Sequence, residues 1–273
     1  MKKGTFYPQI LEASMQENIS TQKVMERLVP LGMECVDIYT GNIIEEGSKH
    51  ITKLQKDFGI TTSSVFHYFE FDYKKENALN LALEEVKLHL ENSAEVNSPF
   101  FMPVPVIKYI HKDNFEREEC AKIVLEYFAG VSRQSSKYNI TTVVENFSNT
   151  MSPYSYIDDI KYILDNIPDI KYVLDTGNYW FGGTDMIEAC KKFASKTVHV
   201  HMKDLAEKED GRLDICGRRA DSVAIGEGIL PVFEALDIIK SNITDFSAIV
   251  EINGSENVLA DMEKSFINLE KER

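Results

Sequence analysis

No stretch of the chain holds the roughly 18 to 20 consecutive apolar residues needed to cross a bilayer, and Met1-Lys2-Lys3 leads into Gly4-Thr5-Phe6-Tyr7-Pro8 without the apolar core of a secretory leader. A membrane is therefore not an expected partner, and the expected location is the cytoplasm. Cysteine is scarce and scattered: Cys35, Cys120, Cys190 and Cys216 form no C-x-x-C pair and lack the density of a secreted disulfide framework. Reduced, mostly buried thiols are expected. Positive charge is in deficit, with 30 Lys and Arg against 44 Asp and Glu for a net charge of −14, which argues against nucleic-acid phosphates as a partner. No Pro/Ser/Gly-rich linker or break in composition divides the 273 residues, so a single domain over 1–273 is expected. What remains is ordinary for a globular chain, 43% hydrophobic and 27% charged, and the length suits two small domains or one large α/β barrel of roughly 250 residues.

Short β-branched or aromatic runs alternate with longer segments of helical apolar spacing, the pattern of repeated βα units. The runs are Gly4–Tyr7, Glu34–Tyr39, Ile60–Phe66, Pro99–Val104, Ile140–Glu145, Ile170–Asp175, Thr197–Met202 and Ser247–Ile252. Helices are expected near 18–30, 43–58, 76–94, 114–137, 155–166, 184–195, 230–241 and 256–270. The fourth run is the weakest, because Pro99 and Pro103 remove ladder donors. Eight such units predict a closed (β/α)8 TIM barrel. An open doubly wound sheet is the alternative, but it rarely has that many units, and no G-x-G-x-x-G follows the first run. The one long irregular stretch, Asp204 to Gly228, is expected to be a functional or mobile loop.

In such a barrel the strand ends that precede the helices meet at one face, where polar residues read as catalytic. The last four runs end alike, at Glu145 (V-V-E-N-F), Asp175 (L-D-T-G-N), His201 (H-V-H-M-K-D) and Glu251 (V-E-I-N). Three carboxylates and an imidazole converging on the mouth are tolerable only with a compensating cation or protons. Three acid oxygens and one nitrogen suit Mn²⁺, Mg²⁺, Co²⁺ and Zn²⁺ alike.

The order Glu, Asp, His, Glu, together with V-H-V-H-M-K-D at 198–204, L-D-T-G-N at 174–178 and A-I-G-E-G at 224–228, resembles the sugar phosphate isomerase/epimerase superfamily of xylose-isomerase-like barrels. Within it the motifs are similar to those of ketose 3-epimerases, inosose-type enzymes and hydroxypyruvate isomerases. The resemblance implies that Glu145, Asp175, His201 and Glu251 bind one divalent metal ion, that Glu145 and Glu251 are also the acid/base pair, and that the substrate is a small carbohydrate. A metal-bound carboxylate has a second oxygen free to take a proton, and the cation steadies a developing enediolate. Asn178 departs from the pattern, standing where many of these enzymes place a substrate-contacting histidine.

Further candidates for substrate contact are His199, two residues before His201 and so on the same inward face, Lys203 and His67. Lys203 is equally suited to pairing with Glu145 or Glu251, and His67 to an exposed loop. Asn146 and Asn253 follow the two glutamates and are candidates to orient them. Asp37, Glu70, Arg218, Arg219 and the Tyr179-Trp180-Phe181 string complete the polar and aromatic candidates near the mouth. A metal-dependent isomerase or epimerase working through an enediolate leads the reading. An inosose-type dehydratase with the same metal site and a non-catalytic ligand-binding barrel stand as alternatives, and a homo-oligomer is the expected association, a two-fold dimer first.

Overall fold

Eight parallel strands close into a barrel in the order β1-β10-β7-β6-β5-β4-β3-β2 in the computed structural model, which describes residues 1–108, 110 and 115–271. The staves are β1 (Lys2–Phe6), β2 (Cys35–Tyr39), β3 (Thr61–Phe71), β4 (Phe100–Ile107), β5 (Thr141–Glu145), β6 (Lys171–Asp175), β7 (Thr197–Met202) and β10 (Ser247–Val250). Alternation sends one set of side chains into the barrel and the other against the helices. Phe6, Cys35, Phe66, Met102, Val104, Val143, Val173 and Ile249 fill the interior. The opposite faces join the helices in a larger apolar layer.

The helices are α1 (Tyr7–Glu17), α2 (Thr21–Leu28), α3 (Thr40–Glu46), α4 (Ser48–Phe58), α5 (Ala78–Glu95), α6 (Arg117–Ser135), α7 (Ile157–Asn166), α8 (Thr176–Phe181), α9 (Met186–Phe193), α10 (Val232–Lys240) and α11 (Val258–Lys271). Among the described residues no helix is long and apolar enough to cross a membrane. Cys35, Cys120 and Cys190 are buried free thiols, and Cys216 is exposed.

Several local expectations change. The stretch from Asp204 is not irregular: β8 (Asp204–Leu213) and β9 (Arg219–Val223) pair as an antiparallel hairpin. Its apolar signal was thin, since only Leu205 and Ala220 pack firmly, against Phe181. A helix also follows β1 at once, because Pro8 lies in the first turn of α1, where its missing N–H costs nothing. The segment expected as one helix over 43–58 is split into α3 and α4 at Gly47, whose φ of +85° and ψ of 138° leave the helical region. The fourth stave is a full strand. It pairs with β3 from Phe101 to Ile107 but with β5 only at Phe100 and Phe101, so that ladder stops before Pro103 and Pro105. The expected start of the following helix, position 114, and the final positions 272 and 273 lie outside the described residues.

Candidate metal centre

Glu145 and Asp175 close β5 and β6, His201 is the last residue but one of β7, and Glu251 follows β10 directly. Parallel register brings them level, with Asp175 opposite His201 and Ile249 opposite His201 on its other side. One ligand atom from each of Glu145, Asp175, His201 and Glu251 lies within 4.8 Å of every other. Asp175 and His201 are fully buried, whereas the side chains of Glu145 and Glu251 keep 12% and 14% of their surface open to the mouth.

His201 Nδ1 contacts Glu145 Oε1 and stands 3.7 Å from Glu251 Oε2. Its other nitrogen, Nε2, is 3.1 Å from Asp37 Oδ2, and the same oxygen lies 2.7 Å from His199 Nε2. Burial works against the His201 proton, but Glu145, Asp37 and Glu251 together raise its pKa well above the usual imidazole value. Burial likewise opposes charge on Asp37, yet His199 and His201 hold its carboxyl below the ordinary range. Asp37 Oδ1 is buried without a hydrogen-bond partner.

Lys203 lies among the same acids, with Nζ 2.6 Å from Asp175 Oδ2 and 2.9 Å from Glu251 Oε1. Burial disfavours its charge, but Asp175, Glu251 and Glu145 outweigh burial and raise its pKa. For Asp175 burial wins over Lys203, and its pKa is raised. Asp37, Glu145, Asp175 and Glu251 thus crowd against Lys203 and the imidazoles of His199 and His201. The surplus of acid and the mixed oxygen and nitrogen donor set both fit one divalent cation held by Glu145, Asp175, His201 and Glu251.

The other candidates fall in distinct places. Asn178 Nδ2 donates to the Asn146 carbonyl, and its Oδ1 accepts from Lys203 at 3.3 Å; the capping side chain of α8 is Asp175, which accepts from Asn178 N. His199 is fully buried one layer below His201, between Ser63 Oγ and Asp37. His67 does not join this group: Phe66 faces the barrel interior, so His67 turns the other way and stacks on His89 of α5. Asn253 donates to Glu251 Oε1 at 2.8 Å, but Asn146 instead clamps the backbone of Asp175, accepting from its N and donating to its O. Arg218 is pinned by Asp214 over Trp180, and Arg219 donates to the Gly211 carbonyl.

Sequence reasoning passed over two features. A cleft of about 300 Å³ opens beside Glu251 and Asn253, walled by Phe6, Tyr39, Phe66 and Tyr68; inward alternation along the first three strands was the available signal. Arg212 of β8 donates to Ser148 Oγ at 2.6 Å, stacks 4.2 Å over Phe181 and feels the charges of Asp175 and Glu251.

The sequence matches the family model described as "Xylose isomerase-like TIM barrel" over residues 25–269, and the chain belongs to that family. Among solved structures it is similar to a sugar phosphate isomerase/epimerase from Parabacteroides distasonis, at 19% identity over 98% of this chain and 93% of that one, with a TM-score of 0.74. The IolI protein, solved with a bound zinc atom, aligns at 19% identity over 100% and 96% of the two chains, TM-score 0.76. The probable 3-DHS dehydratase AsbF of Bacillus anthracis aligns at 15% identity over 99% of both, TM-score 0.76. No curated protein matches the chain.

Proposed function

We propose that this chain is a single-domain, divalent-metal-dependent isomerase or epimerase of a small sugar or sugar phosphate. One observation carries the reading: four ligand atoms from Glu145, Asp175, His201 and Glu251 lie within 4.8 Å of one another. Of those four side chains, the two glutamates are the ones that keep part of their surface exposed, and Glu251 lines the cleft. A divalent ion bound by these residues would supply Lewis acidity for the negative charge that builds on a substrate oxygen.

Glu145 and Glu251 serve as the proton carriers. Each has a second oxygen beyond the one offered to the ion, and each reaches the mouth. One removes a proton next to the carbonyl, leaving an enediolate, and the other returns a proton. Return to the same carbon from the opposite face is epimerisation; return to the neighbouring carbon is isomerisation. Asn253 and Lys203 both hold Glu251 Oε1, which fixes the orientation of that carboxylate. The aromatic wall of Phe6, Tyr39, Phe66 and Tyr68 gives the C–H face of a sugar an apolar surface. Lys203 forms the floor and donates to Asp175, Glu251 and Asn178, and His199 supports His201 from below through their shared contact with Asp37.

The test is turnover of a panel of keto-sugars in deuterated water. The metal-loaded protein is expected to introduce deuterium at one carbon, and Glu145→Gln and Glu251→Gln are each expected to slow this by about 100-fold or more. Full turnover in both variants overturns the acid/base assignment, and a dehydrated product in place of deuterium exchange turns the reading to a dehydratase.

A further inference from the structure

On the outer wall of the barrel His67, from β3, meets two side chains of α5. Glu85 and His89 are four residues apart and therefore on one helix face. His67 Nε2 is 3.9 Å and His89 Nε2 4.0 Å from the same oxygen, Glu85 Oε1, and the three donor atoms lie within 4.8 Å of one another. The side chains of His67 and His89 are 14% and 5% exposed, whereas that of Glu85 is 53% exposed, which leaves an open approach.

The opposite edges of both rings rest on one atom: Thr40 Oγ1 is 2.7 Å from His67 Nδ1 and 2.9 Å from His89 Nδ1. A hydroxyl oxygen has two lone pairs and can accept a hydrogen from each Nδ1, the pair of tautomers that a metal ion would select. That arrangement leaves a lone pair on each Nε2, the form in which imidazole binds a metal, and a hydrogen bond to the non-ligating nitrogen is how such ligands are usually held. Burial depresses the pKa of His89 to about 4; burial and then the neighbouring His89 do the same to His67.

We propose that His67, Glu85 and His89 form a second divalent-cation site, separate from the barrel mouth and selective for a borderline ion such as Zn²⁺. Two nitrogens and one oxygen favour such an ion over Mg²⁺, and three protein ligands leave a position for water. Bonds of about 2.0–2.1 Å in tetrahedral geometry separate donors by roughly 3.4 Å. Glu85 therefore closes by about half an ångström on the two rings, which are stacked with 23° between their planes. The ion clips β3 to α5.

The experiment is zinc stoichiometry and affinity of the full chain by calorimetry after chelator treatment, with Mg²⁺ as the comparison ion. Wild type is expected to bind two Zn²⁺ per chain, and Glu85→Gln and His67→Gln each one, or a second with affinity at least 10-fold weaker. Glu251→Gln impairs only the mouth site, so loss of one site is distinguishable from loss of the other. Glu85 is half-exposed, so its variant keeps the fold even if His67→Gln does not. Equal zinc binding by wild type and Glu85→Gln, with metal-free thermal stability unchanged, overturns the proposal.

Discussion

At the scale of single residues, His201 is held from both ring nitrogens: Nδ1 faces Glu145 and Glu251, and Nε2 faces the buried Asp37. A carboxylate on the far nitrogen fixes which nitrogen offers its lone pair and strengthens it as a ligand. Asp37→Asn is therefore expected to weaken divalent-metal binding at the mouth by about 10- to 100-fold, read by competition against a chromophoric chelator. Unchanged affinity contradicts this role. The stacked pair His67 and His89 makes a pH-dependent contribution in the metal-free protein. Their folded pKa near 4 lies below the ordinary 6.5, so between these values the unfolded rings hold protons that the folded ones do not. Unfolding free energy from this pair thus rises with pH from about 4 to 6.5 and is flat outside, by about 3 kcal/mol for each fully shifted ring before solvent screening reduces it. Urea titrations across that range are expected to show a shallower rise when both residues are Gln; identical slopes contradict it.

At the scale of elements, Asp204 ties the end of β7 to the turn before α10. Its carboxylate accepts from the backbone N of Leu205, Gly226, Gly228 and Leu230 at 2.9 to 3.1 Å. A Cβ on Gly228 would stand 2.2 Å from Asp204 Oδ1, so only glycine allows that approach. The H-M-K-D and A-I-G-E-G strings, read separately in the sequence, are one hydrogen-bonded unit that steadies Lys203. Asp204→Ala is expected to cost about 3 kcal/mol or more, a fall in Tm of roughly 6–12 °C; a fall under about 2 °C contradicts the linkage. Gly47→Ala, at the break between α3 and α4, is expected to cost about 1–3 kcal/mol through backbone strain alone, read by the same melts. The staves were legible because their apolar runs are short and bounded by turn residues. The β8–β9 hairpin was not, since its strand L-A-E-K-E-D-G-R-L lacks an alternating apolar face and its pairing partner lies beyond a turn. Nor was α8, whose six residues after Asp175 are too few to show a period.

At the scale of the whole molecule, the barrel places acids from neighbouring staves at one level, and strand order alone predicts their meeting. Glu145, Asp175, His201 and Glu251 were legible for that reason, each being the last polar residue of an apolar run. The layer beneath was less so. Asp37 reaches across the interior from β2 to His199 and His201 on β7, elements that are not neighbours in the barrel. The outward turn of His67 depended on where β3 ends, and that strand runs five residues past its expected close, to Phe71. The central claim is that four side chains at the mouth share one cation. Crystals grown with zinc and measured across its absorption edge test this most directly. The account predicts an anomalous peak within about 2.2 Å of one atom from each of Glu145, Asp175, His201 and Glu251; a mouth with no peak, or a peak bonded to fewer than three of them, contradicts it.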